Sequence, residues 1–154
     1  MTGIEDKNVL LAYLAGLIDG EGCFTIGTAG KHLALKVTNT DCNLLSQCKV
    51  MIEKLGYNCG FYPHYKDNSK NNRKWKNQWS IQLLGGRSGL LAFCKEIEPF
   101  LIGKKGQCNI VISYLTSRLE RYPGRSGSRF GRSLTLAEVF DLEKLRQLNK
   151  RGAA

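Results

Sequence analysis

The distribution of apolar residues predicts a buried helix near the start of the chain. Ten almost unbroken apolar residues run from Val9 to Ile18 and are followed directly by Asp-Gly-Glu-Gly at positions 19–22. A membrane-spanning helix needs about twenty apolar residues, and a secretory signal would carry positive charge where this chain is acidic. The run therefore predicts a helix that other parts of the protein cover and that ends at the two glycines.

Alternation of apolar and polar residues predicts two β-hairpins. In the first hairpin, Leu33, Leu35 and Val37 alternate with polar residues. In the second, Ile81 and Leu83 do the same. A period of two gives each strand one apolar face for the core and one polar face. The four predicted strands are residues 23–28, 33–40, 57–66 and 75–84, with a turn at Ala29-Gly30-Lys31 in the first hairpin.

Helical periodicity and capping residues predict the remaining elements. One helix begins after Thr40 or Asp41 and ends at Gly56; further helices cover about 88–98 and 106–121, and a last one begins at the capping-box sequence Thr135-x-x-Glu138. The segment 106–121 leaves a strand open as the alternative, because it contains three consecutive β-branched residues.

The order of these elements predicts an α+β fold. Its core is α-β-β-α-β-β-α, with a four-stranded antiparallel sheet, helices on one face and an additional C-terminal helix. We expect a single domain over residues 1–154, with the core at about 8–121 and a basic loop and helix at about 122–150.

Net charge indicates a polyanionic partner. The 154 residues include 23 Lys and Arg against 13 Asp and Glu, which gives a formal net charge of +10. Such a surface attracts nucleic acid, and the basic residues do not fall on an amphipathic helix of the kind that lies on lipid. We therefore expect nucleic acid as partner, with an anionic membrane surface as the less favoured alternative and no small-molecule substrate.

The six cysteines favour an intracellular location. No Cys-x-x-Cys pair occurs, and the neighbours of each cysteine are apolar or helix-compatible, so all six are predicted to be small core residues. Paired zinc-ligand spacings and a secretory signal for a disulfide framework are both missing from the sequence. The expected location is inside the cell, in the cytoplasm or an organelle together with the nucleic-acid partner, and the protein is not expected to be secreted.

The stretch LAGLIDGEG, residues 14–22, resembles the signature of the LAGLIDADG homing endonucleases. It sits at a predicted helix end, and the predicted order of elements matches that family's core. Glu21 replaces the usual Asp of the motif, and Gly20 replaces the usual Ala. Since no second copy occurs here, the chain is similar to single-motif members, which act as homodimers through their paired motif helices.

This resemblance implies the catalytic and interface residues. Glu21, assisted by the Gly20 carbonyl, would bind Mg²⁺, with Mn²⁺ or Ca²⁺ able to occupy the same site. PFLIGKKGQ resembles the segment that carries the family's active-site lysine, which selects Lys104, with Lys105 as the alternative; VTNT matches the strand end where a polar residue positions water, which selects Asn39. The expected dimer interface contains Ala12, Ala15, Gly16 and Asp19, although Asp19 could instead accept a hydrogen bond at the helix end.

The polar face of the sheet is the predicted DNA-binding surface, because an antiparallel ribbon fits the major groove. Residues expected to face bases are Thr25, His32, Lys36, Thr38, Tyr62, His64, Lys66, Lys76, Gln78, Ser80 and Gln82. Residues expected to meet phosphates are Lys70, Arg73 and Lys74 at a hairpin tip, and Arg125, Arg129 and Arg132, with Arg121, in the arginine-rich loop.

The function predicted from these features is a sequence-specific, Mg²⁺-dependent double-strand DNA endonuclease. It would hydrolyse phosphodiester bonds in a long, partly palindromic site, as an intron-encoded homing endonuclease does. The alternative is a non-cleaving nucleic-acid-binding protein of the same fold, either a splicing maturase or a transcription factor. A metal-independent RNA-binding protein is less favoured, because side chains cannot readily read the deep groove of A-form RNA.

Overall fold

The computed structural model describes residues 6–27, 32–65, 76–123 and 133–150. A short 3₁₀ helix, Glu98–Phe100, precedes the fourth α-helix. The helices are α1 (Lys7–Glu21), α2 (Cys42–Lys54), α3 (Gly86–Ile97), α4 (Lys105–Arg121) and α5 (Leu136–Asn149), and the strands are β1 (Gly22–Ile26), β2 (Leu33–Asn39), β3 (Cys59–His64) and β4 (Gln78–Leu83). The predicted α+β class, with its four-stranded antiparallel sheet, is confirmed.

Helix α1 is the apolar helix that the sequence predicts. The Asp6 side chain caps its first turn by accepting a hydrogen bond from the Asn8 backbone. Leu10, Leu14 and Ile18 recur every four residues and are buried on one side. The helix ends at Glu21, between the two glycines, and Gly22 is its C-cap, so the predicted end is confirmed.

The four strands lie in the order β1-β2-β4-β3, and every neighbouring pair is antiparallel. Phe24 of β1 is opposite Leu35, and Val37 is opposite Ile81 of β4. All four side chains are buried. This apolar face packs against α1, α2 and α3, which leaves the polar positions of the strands on the opposite face.

Helix α4 resolves the alternative that the sequence left open. Val111 and Leu115 are buried one turn apart and pack with Tyr114 and Cys108 in the core, so the β-branched run is helical. Tertiary burial outweighs the weak local preference of such residues for strands. Helix α5 packs against α4, and its Asn149 side chain donates a hydrogen bond to the carbonyl of Phe24 at 2.8 Å.

Four of the six cysteines are core residues, as predicted. Cys48, Cys59, Cys94 and Cys108 are buried, and burial raises the pKa of the Cys48 thiol to about 11. Cys23 corrects the prediction, because it is exposed on β1. It alternates with buried Phe24 and therefore lies on the polar face.

Among the described residues, no helix is both long and apolar enough to span a membrane.

Candidate active site and sheet surface

The C-terminal end of α1 presents oxygen atoms to solvent. Gly20 and Glu21 are both exposed, and Gly22 starts β1 with no intervening loop. The last carbonyl groups of a helix have no partner within it, and they carry the negative end of the helix dipole. A carboxylate and carbonyl oxygens at such a position are the hard ligands that Mg²⁺ or Ca²⁺ prefers. The donor set therefore fits a divalent cation.

A single chain contributes few such ligands. Among the described residues, no group of three or more His, Cys, Asp or Glu side chains is placed to hold a metal ion. Glu21 and the Gly20 carbonyl are the groups that this chain offers at the end of α1.

Lys104 lies at this same end of α1. Its ammonium group donates a hydrogen bond to the carbonyl oxygen of Asp19 at 2.5 Å. Lys105, the alternative from sequence, instead forms an ion pair with Glu98 at 3.6 Å and is more exposed. The structure thus brings Lys104, rather than Lys105, to the residues of the LAGLIDGEG segment.

Asp19 is occupied within its own chain. Its carboxylate accepts hydrogen bonds from the backbone N–H groups of Ile102 and Lys104, each at 2.8 Å. Partial burial opposes ionisation, but these backbone hydrogen bonds and the Lys104 charge outweigh it and lower the pKa of Asp19. These bonds confirm the alternative role given for Asp19, a hydrogen-bond acceptor at the end of α1, and its place in a dimer interface stays a prediction.

Asn39 ends β2, as its predicted role requires. It lies two residues beyond Val37, which is opposite Gly22, so the strand extends toward the end of α1. Its side-chain oxygen accepts a hydrogen bond from the Asp41 backbone at 2.9 Å and turns the chain into α2. The alternation of β2 puts Asn39 on the helix-packed face rather than the polar one.

The polar face of the sheet contains most of the residues predicted for it. Cross-strand neighbours place Lys36 opposite Gln82. Thr38 is opposite Ser80, and Tyr62 of β3 is opposite Ser80 on its other side. Thr25, Lys36, Thr38, His64, Gln78 and Gln82 are partly exposed there, and Tyr62 is exposed; His32 and Lys76 are exposed beside the strand ends.

Ser80 corrects the prediction for this face. Its side chain is 0% exposed and bonds the Nε2 atom of His64 at 2.7 Å. Ser80 therefore cannot reach DNA directly, and it instead fixes the imidazole ring of His64. The exposed Cys23 lies on this face beside Lys36, and its alternation with Phe24 was the signal that sequence reasoning missed.

Several residues predicted to contact phosphate fall outside the described residues, namely Lys70, Arg73, Lys74, Arg125, Arg129 and Arg132. Lys66, which was predicted to face bases, also lies outside them. Arg121 is described and is engaged elsewhere: its guanidinium pairs with the buried carboxylate of Glu138 at 2.9 Å. The expectation that Arg121 contacts phosphate is corrected by this ion pair.

One face of α1 is exposed and carries small residues. Ala12 and Gly16 are exposed as predicted, with no heavy atom within 4 Å of a Cβ added at Gly16. Ala15 corrects the prediction, because it is 0% exposed and packs in the core of its own chain. Val9 and Tyr13 also lie on this face, 45% and 49% exposed, and sequence reasoning assigned neither to it.

Comparison with solved structures identifies the fold. The homing endonuclease I-CvuI, in complex with the I-CreI target in the presence of Mg and with the DNA not cleaved, aligns over 94% of this chain and 97% of its own at a TM-score of 0.51 and 14% identity. I-CvuI in complex with its own target in the presence of Ca aligns over 91% and 96%, also at 0.51, with 16% identity. The fold is therefore that of the homing endonucleases.

The family follows from the sequence. A family model described as a LAGLIDADG-like domain matches residues 8–98, which is more than half of the chain. The chain belongs to the LAGLIDADG family, as the resemblance predicted. A comparison with curated proteins gives no match.

Proposed function

We propose that this protein is a homing endonuclease that cuts both strands of DNA in a Mg²⁺-dependent reaction, as a homodimer. The observation that carries the proposal is the exposed Glu21 carboxylate at the end of α1. The Lys104 ammonium lies near it, hydrogen-bonded to the backbone carbonyl of Asp19, two residues before Glu21 in the same helix. A protein that only bound DNA would gain nothing from an acid placed there, because a carboxylate repels phosphate.

Each residue at this end of α1 has a chemical role in the proposal. Glu21 and the Gly20 carbonyl would hold the divalent cation, which supplies Lewis-acid activation and a metal-bound nucleophile for phosphodiester hydrolysis. Lys104 stabilises negative charge that builds on the phosphate. Asn39, at the end of β2, would orient water through its side-chain amide.

The sheet supports the DNA-binding part of the proposal. Its solvent face combines Lys36 with amide and hydroxyl groups and has no acidic residue on the described strands. A two-stranded ribbon fits the major groove, where these groups can distinguish base pairs. His64, held by buried Ser80, presents a ring of fixed orientation to that groove.

Dimerisation follows from the need to cut two strands. Each chain carries one motif acid, and the exposed face of α1 that includes Ala12 and Gly16 leaves room for a second helix to approach. Paired α1 helices would place the two Glu21 carboxylates near one twofold axis. A twofold protein reads two related half-sites, which explains a partly palindromic target.

Replacing Glu21 with Gln tests the proposal. The substitution keeps the size of the side chain but removes the anionic metal ligand. Losing several kcal/mol of metal-dependent transition-state stabilisation should slow cleavage by a factor on the order of 10³. Affinity for a target selected from a randomised DNA library should remain, because the basic surface is unchanged. Single-turnover cleavage and filter binding measure the two quantities.

Glu120→Gln is the matched control, since Glu120 is an exposed acid on α4. It should leave both cleavage and binding as in the wild-type protein. Full cleavage by Glu21→Gln would overturn the assignment of the site. Specific binding by a wild-type protein that cleaves no DNA with Mg²⁺ or Mn²⁺ would instead support the binding-only alternative.

A further inference from the structure

The N-terminus of α4 is capped from a distant part of the chain. The N-cap position is Lys104, which makes no side-chain capping bond, since a lysine side chain has only donors. In α1, α2 and α5 the capping side chain is that of the N-cap residue itself, respectively Asp6, Asp41 and Thr135. For α4 the acceptor is Asp19, which lies 85 residues earlier.

The contact is reciprocal. The Asp19 carboxylate binds the Lys104 backbone N–H, and the Lys104 ammonium binds the Asp19 backbone carbonyl. A third bond joins the carboxylate to the Ile102 N–H, so the segment before α4 is held at more than one point. Gly103 lies between Ile102 and Lys104, and a Cβ added there would lie 3.6 Å from the Asp19 Oδ1 atom. The end of α1 and the segment before α4 are therefore in close contact.

This geometry fixes the lysine relative to the helix that carries Glu21. The backbone and the side chain of Lys104 are both bonded to Asp19, which is two residues before Glu21 in the same helix. A lysine has four rotatable side-chain bonds and is costly to order, so a fixed backbone and a bonded ammonium reduce the range that the amine can sample. Loss of the carboxylate would remove the bonds to the Ile102 and Lys104 backbone directly. The ammonium could still reach the Asp19 carbonyl, but it would do so from a backbone that is no longer fixed.

We propose that Asp19 is a positioning residue that holds the Lys104 ammonium at the Glu21 end of α1. The inference rests on the proposed nuclease function for its catalytic consequence, but the position of the lysine can be measured without cleavage. Asp19 acts through Lys104 and has no contact with the reacting phosphate in this scheme.

The first test compares Asp19→Ala with Asp6→Ala. Both variants remove a helix-capping aspartate, and Asp6 caps the opposite end of α1. Both should lower the melting temperature, but only Asp19→Ala should slow single-turnover cleavage at saturating DNA, by about 10²-fold, the effect of a displacement near 1 Å. Equal cleavage by both variants would overturn the proposal.

A double-mutant cycle identifies the residue through which Asp19 acts. In a Lys104→Met background, Asp19→Ala should cause no further loss of cleavage rate, because the amine that it positions is absent. Multiplicative losses would show that Asp19 acts independently of Lys104. Asp19→Asn, which keeps one acceptor oxygen, provides a second variant for the cycle if Asp19→Ala does not fold.

Amine labelling gives a readout that needs no cleavage. Acylation quantified by mass spectrometry should increase at Lys104 in Asp19→Ala and not in Asp6→Ala, with Lys105 as the internal reference. If the wild-type protein does not cleave DNA but Asp19→Ala still increases the acylation of Lys104, the nuclease proposal is refuted and the placement of Lys104 stands. Unchanged labelling of Lys104 would overturn the placement itself.

Discussion

At the residue scale, the Glu138 carboxylate is the centre of a polar network between α4 and α5. Its carboxylate accepts hydrogen bonds from Ser117 at 2.8 Å, from Arg121 at 2.9 Å and from Arg118 at 3.3 Å. It also bonds the Thr135 backbone and so completes the capping box of α5. Glu138 and Arg118 are 0% exposed, whereas Arg121 is 31% exposed, so the network joins α4 to α5 through a buried ion pair with one partner at the surface.

The same network fixes both ends of the basic segment 124–132. Ser133 follows this segment, and its carbonyl accepts a hydrogen bond from Arg118 at 2.7 Å. Tyr122 precedes it, lies against the guanidinium groups of Arg118 and Arg121, and bonds the Ser133 hydroxyl at 3.1 Å. The described residues on the two sides of this segment, Tyr122 and Ser133, are therefore held together.

We predict that Glu138→Gln lowers the free energy of unfolding by about 3 kcal/mol, because removal of one partner leaves buried positive charge uncompensated. Burial alone would disfavour the charged carboxylate, but the hydrogen bonds from Ser117 and Arg121 outweigh it and lower the pKa of Glu138. Because its pKa is lower in the folded state than in the unfolded state, Glu138 stabilises the fold at pH values above its ordinary pKa of 4.5. This stabilisation is lost as the pH falls through the folded-state pKa. Urea denaturation at pH 7 and at pH 3.5 measures both effects, and the difference from wild type should be smaller at the lower pH.

Glu143→Gln is the control for this substitution. Glu143 pairs with Arg146 at 3.7 Å on an exposed surface, where such pairs contribute at most about 1 kcal/mol. Equal losses of stability in the two variants would contradict a special role for the buried network.

At the scale of one element, the end of α1 depends on a direct passage from helix to strand. Gly22 donates its backbone N–H to the Ile18 carbonyl and starts β1 with no loop residue between them. A Cβ added at Gly22 would lie 2.7 Å from the Ile18 oxygen and 2.9 Å from its Cα atom. Gly20 differs, since no heavy atom lies within 4 Å of its added Cβ.

The paired substitutions Gly22→Ala and Gly20→Ala should therefore change stability in opposite directions. Gly22→Ala should lower the free energy of unfolding by about 1–3 kcal/mol, because the clash involves backbone atoms that must shift. Gly20→Ala should raise it by up to about 1 kcal/mol, since alanine loses less conformational entropy in a helix. Chemical denaturation of both variants checks this, and a tolerated Gly22→Ala would contradict the close packing at this corner.

At the scale of the whole molecule, the exposed face of α1 and the net charge of +10 have opposite effects on the association of two copies. Val9 and Tyr13 expose apolar area next to Ala12 and Gly16, which favours association with a second copy. Like charges on two copies repel, and salt or bound DNA screens this repulsion. A dimer should therefore be most stable at moderate ionic strength or on its target.

Gly16→Leu should dissociate this dimer without unfolding the subunit. Position 16 has open space in the single chain, and leucine is a better helix former than glycine, so the effect arises at the interface. Light scattering at micromolar concentration should change from a dimer to the 17.2 kDa mass of one chain, and double-strand cleavage should be lost.

Ala92→Leu, on the exposed side of α3, is the matched control and should remain dimeric. A wild-type mass of one chain together with efficient double-strand cleavage would contradict the dimer. An unchanged dimer in Gly16→Leu would show that another surface forms the interface.

The sequence by itself determined the type and order of the elements and the location of the motif acid. Periods of 3.6 and two are local properties, so they identify α1 from its apolar run and β2 from the alternation of Leu33, Leu35 and Val37. Because Glu21 follows the apolar run directly, its position at a helix end is also local. The family resemblance further selected Lys104 by its distance from a proline.

Only the tertiary structure decided which distant residues meet. The strand order β1-β2-β4-β3 depends on how two hairpins that are separate in sequence pair with each other. Alternation along β4 places Ser80 on the polar face, but it cannot show that Tyr62 and His64 of the neighbouring strand β3 lie beside Ser80. Likewise, the packing of α1 decides that Ala15 is buried while Gly16 is exposed. The bonds between Asp19 and Lys104 span 85 residues and form only after α1 and α4 have packed, which is why no local pattern predicts them.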